Sequence, residues 1–237
     1  MISKKLLFLL ALLLISASAA FPQDKLEFTV IQGYFRTEAF KKILTEAYNK
    51  LGFQFTITEL PDKRLYQVMK DHKLDGILFN NALIEVAVPG LIRIPVVIAN
   101  EEVVVFSNKP GVVVVKGVSR LKPYKVGIMA GFKDYIPGAK DLTTDESNAP
   151  DQLFLKLERG RIDAAIFPKI AGLKILKQMK LTDIKALAPP LDSTPLFHYL
   201  DKKNAKLADK VTALLKEMEK NGTIKKIIDE NEAAFLK

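Results

Sequence analysis

The sequence predicts an α/β protein built from two lobes of similar design. Two stretches alternate β-like and helical patterns, their last strands share a motif, and two extended segments lie where the chain would pass between lobes. The 237 residues are enough for two small domains, each with its own core. We place lobe I at residues 21–107 and 190–237, and lobe II at residues 108–189.

Residues 1–20 predict a secretory signal peptide. Lys4 and Lys5 form a basic start, the run from Leu6 to Ile15 is apolar, and Ala17-Ser18-Ala19 has the small-x-small pattern of a cleavage site. This apolar run is too short for a bilayer, which needs roughly 20 residues. An uncleaved anchor is the alternative. We expect a free, exported protein in a bacterial-type periplasm.

The composition excludes several kinds of site. Without cysteine the chain has no disulfide, no thiolate metal site and no lipid-modified N-terminal cysteine. Its two histidines, His72 and His198, are far apart, so no metal site is expected and each is assigned to surface or hinge packing. The excess lysines are spread through helical stretches without interleaved aromatic residues, so we expect no nucleic-acid partner.

The first unit follows a β-α-β-α-β pattern. A β-like segment at residues 28–32 leads into an amphipathic helix that stops at Gly52. A strand at residues 53–58 follows, Pro61 opens a second helix, and residues 73–79 form the third strand.

The second unit begins with a strand at residues 125–132 and has a helix at about residues 150–159. Its last strand, Ile162-Asp163-Ala164-Ala165-Ile166-Phe167, matches Leu74-Asp75-Gly76-Ile77-Leu78-Phe79 of the first unit. The match indicates parallel strands buried by crossover helices in both lobes. Asp75 and Asp163 begin their strands and are expected to cap or pair in the turn.

Two extended segments are predicted to join the lobes. Residues 101–107 are a β-branched run that ends at the Lys109-Pro110-Gly111 turn. Residues 186–200 contain three prolines and are not expected to be a central strand throughout. A helix at about residues 204–220, a stop at Asn221-Gly222 and a short final helix then complete lobe I.

Six motifs stand in a specific order: Leu51-Gly52-Phe53, Leu60-Pro61-Asp62-Lys63-Arg64, Lys73-Leu74-Asp75-Gly76, Gly90-Leu91-Ile92-Arg93-Ile94-Pro95, Arg159-Gly160-Arg161-Ile162-Asp163-Ala164, and the tail from Leu214 to Ile224. Together they resemble the family-3 extracellular solute-binding proteins, periplasmic partners of importers for polar amino acids and similar solutes. The resemblance implies the two-lobed type II periplasmic binding fold, with hinges near residues 106–108 and 189–191. It also implies a monomer whose closure on a small solute is recognised by an inner-membrane permease or receptor.

In open α/β sheets the ligand lies beyond the carboxyl ends of the strands. This rule places the loop after the first strand at the predicted binding site. Tyr34 and Phe35 are expected to pack on the ligand, and Arg36 to hold a carboxylate with its planar fork. The alternative is that Arg36 faces solvent. Arg64, at a helix start, is expected to reach the cleft or to pair with a nearby aspartate.

The same rule predicts that Phe79, Asn80 and Asn81, at the end of the third strand, contact the ligand, because asparagine amides suit a polar ligand. The alternative is that the two asparagines only form a turn. The corresponding strand ends of lobe II add Gly131, Phe132 and Phe167.

The chain departs from the resembled family at two places. Amino-acid binders of this type usually carry an arginine after the third strand and an acidic residue late in lobe II. Here these places hold Asn80-Asn81 and Pro168-Lys169, which argues against an ordinary amino acid. The sequence shows no Ser/His/Asp, Cys/His or paired-carboxylate pattern typical of a catalytic site. We therefore expect a binding protein with no catalytic residue and no cofactor. A sensory module and a dehydratase-like enzyme are the alternatives.

Overall fold

A computed structural model describes residues 25–114, 117–130, 132–133, 136 and 138–237. The predicted signal peptide and Gly131 lie outside the described residues. Within these ranges, every helix is too short or too polar to cross a membrane.

The described residues form ten strands and a set of helices. The strands are β1 (Lys25–Ile31), β2 (Gln54–Leu60), β3 (Gly76–Asn80), β4 (Ile92–Arg93), β5 (Ala99–Ser107), β6 (Val126–Met129), β7 (Thr144–Ser147), β8 (Ala164–Pro168), β9 (Lys185–Ala186) and β10 (Asp192–Leu200). The α-helices are α1 (Thr37–Lys50), α2 (Asp62–Lys70), α3 (Ile84–Ala87), α4 (Pro150–Glu158), α5 (Lys169–Met179), α6 (Ala208–Lys220) and α7 (Thr223–Phe235). Short 3-10 turns lie at Ser119–Leu121, Ala139–Asp141 and Lys202–Leu207.

One sheet runs through both lobes in the order β2-β1-β3-β10-β5-β8-β6-β7, with β4 added to β10 and β9 to β5. In lobe I, β1 pairs in parallel with β2 and β3; in lobe II, β6 pairs in parallel with β7 and β8. Each parallel set then meets an antiparallel strand, β10 or β5, and these two pair with each other. The predicted α/β architecture of two similar lobes is therefore confirmed.

The chain passes between the lobes in β5 and β10. Residues 99–103 of β5 pair with residues 192–196 of β10, while Val103 onward pairs with β8 of lobe II. Phe106 is fully buried in lobe II and pairs with Ala165. Along its length, β5 therefore pairs first with β10 and then with β8 of lobe II.

The proline-containing segment is interrupted, as the sequence predicted. Pro189 and Pro190 lie in the break between β9 and β10. Pro195, in contrast, lies inside β10 opposite Asn100. There β10 has only β5 beside it, since its pairing with β3 begins at Phe197. A stretch with one open side tolerates the missing N–H of proline.

The C-terminal part of the chain completes the core of lobe I. Apolar side chains of α6 and α7, including Val211, Leu215 and Ile228, join one cluster with Phe28 of β1 and Phe40 of α1. The final helix has 13 residues, as many as α6, and is longer than the short helix predicted. Burial against α1 stabilises this length, since isolated helices of this size are marginal in water.

His198 is a fully buried core residue of lobe I. Its Nδ1 lies 2.9 Å from the Ile77 carbonyl, which only accepts, so Nδ1 carries the proton and donates. Nε2 then accepts from the Tyr48 hydroxyl at 2.9 Å. Burial lowers the pKa of His198 to about 4. The expected surface or hinge position is wrong for this histidine, whereas His72 is part-exposed and lies 2.7 Å from Asp201.

Asp75 and Asp163 have equivalent roles just before the third strand of each repeat. The Asp75 carboxylate accepts the Glu27 N–H at 2.7 Å, and the Asp75 N–H donates to the Glu27 carbonyl at 2.8 Å. Asp163 makes the same two contacts with Lys125, at 2.9 and 2.8 Å. The predicted turn-pairing role is confirmed for both aspartates.

Candidate ligand-binding cleft

A cleft of about 400 Å³ lies between the lobes. Lobe I contributes the loop after β1 and one face of α7, lobe II contributes the start of α5, and β5 crosses between them. The lining residues are Phe35, Arg36, Asn100, Glu101, Glu102, Pro168, Lys169, Ile170, Ala171, Lys225, Ile228, Asp229 and Glu232. This volume lies within the ~300–1,000 Å³ that is usual for small-molecule sites.

Arg36 is a buried residue, with 4% exposure, in the lobe I wall. Its Nε and Nη2 donate to Oε1 of Glu232 at 3.1 and 2.6 Å, and Nη1 donates to the Tyr34 hydroxyl at 3.4 Å. The guanidinium also lies 4.6 Å from the ring centre of Phe35. The fork that was expected to hold a ligand carboxylate therefore holds a carboxylate of α7.

An aromatic cluster backs this wall. Tyr34 lies 5.4 Å from Phe35 and 4.9 Å from Phe79, and Phe35 stacks on Phe235 of α7 at 4.6 Å. Lys174 of α5 lies 5.4 Å from the Phe235 ring, so a cation of lobe II approaches this cluster as well. The rings are held by one another, which fixes the position of Phe35 at the cleft.

Two further ion pairs lie in the cleft. Lys169 at the start of α5 is 2.6 Å from Glu102, and Lys225 is 2.5 Å from Asp229 one turn along α7. The Lys169–Glu102 pair is partly exposed and the Lys225–Asp229 pair is exposed, so each contributes little to stability. Their effect is on charge, because each neutralises a lysine that would otherwise attract an anion.

Glu101 differs from the other carboxylates of the cleft. It is half-buried on β5 and forms no ion pair with any residue in the described ranges. Burial of Tyr34 and the nearby Glu101 carboxylate together raise the pKa of the Tyr34 hydroxyl. The tyrosine therefore stays protonated and offers its hydrogen to the carboxylate.

Asn80 and Asn81, at the end of β3, form a turn. Asn80 accepts from the Asn81 N–H at 2.8 Å, and Asn81 accepts from the Leu83 N–H at 2.9 Å. The Nδ2 atom of Asn80 is buried without a partner among the described residues. The side-chain oxygens of both asparagines thus accept hydrogen bonds from backbone N–H groups, and neither residue lines the cleft.

The remaining predicted site residues lie elsewhere. Phe79 and Phe167 are buried in the cores of lobe I and lobe II. Arg64 is exposed at the start of α2, and Phe132 is 51% exposed after β6. Of the predicted set, the structure brings Phe35 and Arg36 to the cleft, with Tyr34 directly behind them.

Sequence reasoning missed most of the cleft. The acidic pair Glu101-Glu102 at the start of a predicted interlobe strand was an available signal, because a crossing strand borders any cleft between lobes. The α7 residues had no comparable signal, since their cleft-facing side depends on how that helix packs against α1. Among the described residues no group of histidine, cysteine, aspartate or glutamate side chains is arranged to hold a metal ion.

A larger groove of about 610 Å³ lies between α1 and α7 on lobe I. It is lined by surface side chains of these two helices, including Glu38, Lys42 and Glu230, two of which form an ion pair. Since lobe II contributes nothing to it, a ligand there would not couple the two lobes. The interlobe cleft is therefore the better candidate site.

Comparison with known proteins supports the fold. No protein-family model matches the chain. An uncharacterized protein of Shewanella oneidensis is 26% identical over 203 residues, covering 81% of this chain and 75% of that protein.

Two solved structures illustrate the likeness. One is the probable amino-acid ABC transporter extracellular-binding protein ytmK of Bacillus subtilis, with a TM-score of 0.66, 15% identity, and coverage of 86% of this chain and 96% of that one. Another is a histidine kinase sensor domain with similarity to periplasmic binding proteins, with a TM-score of 0.61, 13% identity, and coverage of 88% and 96%. At these identities the likeness establishes the fold, and the chain has the two-lobed fold of type II periplasmic binding proteins.

Proposed function

We propose that this protein binds a small polar solute in the cleft between its lobes and delivers it to an inner-membrane importer. The observation that carries the proposal is the cleft itself, which has the size of a small-molecule site and walls from both lobes. The lobes are joined by two adjacent strands, β5 and β10. Such a connection suits closure on a ligand, which converts occupancy into a shape that a membrane partner can recognise.

Two further points support the proposal. The predicted signal peptide would place the protein in the periplasm, where solutes enter. The fold is also that of ytmK, whose name assigns it to an amino-acid ABC transporter. Within the cleft we assign Phe35 to direct ligand contact and Tyr34 to its support. Arg36 is assigned to positioning this wall, because its donors are directed to Glu232 and Tyr34.

A sensory role is the second candidate, because a histidine kinase sensor domain shares the fold. In that case the same closure would be recognised by a membrane receptor. We rank an enzyme below both, since the carboxylates of the cleft are hydrogen-bonded or ion-paired to fixed neighbours.

The test is a thermal-shift screen of residues 21–237 against amino acids, amines, dicarboxylates and short peptides. A true ligand at a hundredfold excess over Kd stabilises by about 2.7 kcal/mol. For a protein of this size that corresponds to a Tm increase of roughly 5–10 °C. Replacing the exposed Leu83 by alanine should leave affinity unchanged, whereas Phe35→Ala should reduce it at least tenfold.

Three results would contradict the proposal. One is the absence of any stabilising solute, another is chemical turnover of the bound solute, and the third is full affinity in Phe35→Ala. Deletion of the gene separates the two binding roles. Loss of solute uptake indicates import, whereas retained uptake with loss of a cellular response to the solute indicates sensing.

A further inference from the structure

The charge balance of the cleft points to the kind of solute it accepts. Four carboxylates line it, and three cations accompany them. Each cation is paired: Arg36 with Glu232 at 2.6 Å, Lys169 with Glu102 at 2.6 Å, and Lys225 with Asp229 at 2.5 Å. The carboxylate left without a cation from the described residues is Glu101.

An anionic ligand finds no unpaired cationic side chain among these lining residues. The first turn of α5 does offer backbone N–H groups, which favour negative charge. Lys169 holds the Glu102 carboxylate close to that turn, so a negative charge is already present there. A carboxylate arriving from solution would therefore meet several fixed carboxylates before it met a free donor.

A cationic ligand finds the opposite conditions. Glu101 is half-buried on the crossing strand, where a charge interacts more strongly than it would in open water. The aromatic cluster already attracts Arg36 to Phe35 and Lys174 to Phe235. Rings of this kind favour cations by their quadrupoles, and desolvation strengthens the effect.

We propose that the cleft selects an organic cation, an amine or a guanidine, and that Glu101 is the residue that pairs with its positive charge. A carboxylate on the ligand is not required, since Arg36 is occupied by Glu232 and the place after β3 holds a turn rather than an arginine. This inference rests on the proposed solute-binding function and specifies its substrate class. It makes Glu101 the specificity-determining residue of the site.

Isothermal titration with four matched probes tests the inference: agmatine, arginine, citrulline and glutamate. Agmatine carries the cation without a carboxylate, arginine carries both, citrulline lacks the guanidinium charge, and glutamate is an anion. We expect agmatine to bind at least as tightly as arginine, and at least tenfold more tightly than citrulline and glutamate.

Two variants of Glu101 and one control variant test whether this residue causes the selectivity. Glu101→Gln should weaken agmatine binding at least tenfold, whereas Glu101→Asp, which keeps the charge, should retain most of it. Glu158→Gln removes the same charge from an exposed position on α4 and should change affinity less than twofold. Circular dichroism and the melting temperature of each variant establish that it is folded.

Several outcomes would overturn the inference alone. One is arginine binding at least tenfold more tightly than agmatine, and another is citrulline or glutamate binding as tightly as agmatine or more tightly. A third is an agmatine affinity within threefold of the parent in a folded Glu101→Gln variant. The last is that none of the four probes binds. In each case a ligand found in the wider thermal-shift screen leaves the solute-binding function standing. If that screen also finds no solute, the function falls as well.

Discussion

The two lobes share a frame but differ in what they enclose. Both order their parallel strands as second, first, third. In both, an aspartate before the third strand exchanges two hydrogen bonds with a residue at or next to the start of the first strand. Lobe I then buries a polar pair, His198 and Tyr48, among its apolar residues. The described core of lobe II has aliphatic residues and edge-to-face contacts among Phe106, Phe154 and Phe167.

The difference arises from the returning chain. β10 comes back from lobe II and brings His198 into the centre of lobe I, where its ring nitrogens meet Tyr48 and a carbonyl of β3. In lobe II the equivalent place is taken by β5, which brings Val105 and Phe106. A repeated motif therefore determines how the parallel strands start, but the crossing strand determines the chemistry of each core.

The two turn aspartates also combine a contact that the repeats share with contacts that differ between the lobes. Burial opposes ionisation of Asp75, but hydrogen bonds from Asn204, the Glu27 N–H and Lys203 outweigh it and lower its pKa. The pKa of Asp163 is lowered first by Lys109 and then by the Lys125 N–H. The backbone partner is shared by the repeat, whereas the side-chain partners belong to each lobe.

The largest expected effect comes from adding a methyl group at one tightly packed strand glycine in each lobe, Gly76 of β3 and Gly127 of β6. In Gly76→Ala the new Cβ would lie 2.2 Å from the Tyr199 carbonyl oxygen, a backbone atom of the adjacent strand. In Gly127→Ala it would lie 2.3 Å from a terminal methyl of Ile162, which is able to move. We expect a loss of about 3 kcal/mol or more for Gly76→Ala and about 1–2 kcal/mol for Gly127→Ala.

Urea unfolding measures both losses. Equal losses would contradict the expected difference between the lobes, and a larger loss for Gly127→Ala would show that the lobe II core is the more rigid of the two.

Acid should weaken lobe I before lobe II. His198 has a pKa of about 4 when folded and 6.5 when unfolded, so the unfolded chain takes up a proton first as the pH falls. The stability due to the neutral histidine is thus present above pH 6.5 and is lost between pH 6.5 and 4, by about 3 kcal/mol. Residues 108–189, the predicted range of lobe II, contain no histidine.

Hydrogen exchange and urea unfolding at pH 7 and 4.5 test this. Amides of β3 and β10 should lose protection at pH 4.5 before those of β6 and β8 do, and His198→Gln should show a smaller pH-dependent loss than the parent. An identical loss in parent and variant would assign the acid sensitivity to carboxylates instead.

The smallest effects concern the ion pairs of the cleft. Glu232→Gln would leave the Arg36 guanidinium, whose side chain is 5% exposed, without its anion, and should cost about 2 kcal/mol. Glu102→Gln breaks a pair whose members are 33% and 42% exposed, and should cost less than about 1 kcal/mol. Chemical denaturation in low and high salt separates them, because salt should reduce only the second loss. A strong salt dependence for Glu232→Gln would contradict the buried character of its pair.

Much of the fold was predictable from local pattern. Apolar residues at helical spacing identified α1, Pro61 marked the start of α2, and Asn221-Gly222 separated α6 from α7. The predictions omitted β4, β7, α5 and the four-residue helix α3. Two of these are very short strands. The helix α5 is apolar and part-buried around most of its circumference, so its sequence lacks a clear alternation of apolar and polar residues at helical spacing.

The site was less predictable because its members are distant in sequence. Arg36 and Glu232 are separated by 196 residues, and nothing in either neighbourhood indicates the other. Phe35 was expected at the cleft and lines it, whereas Phe167 was expected there and lies in a core. Both follow a strand, so sequence position alone did not separate them.

The sequence by itself determined the strand and helix periodicity, the two repeats, the turn aspartates and the absence of thiol chemistry. These depend on contacts between near neighbours or on composition. The tertiary structure alone decided that β10 brings His198 into the core of lobe I and that Glu232 of α7 pairs with Arg36. It also left Glu101 without a cationic partner among the described residues. These features depend on which distant surfaces pack together, and burial then determines whether each charge is neutralised, protonated or left to bind a solute.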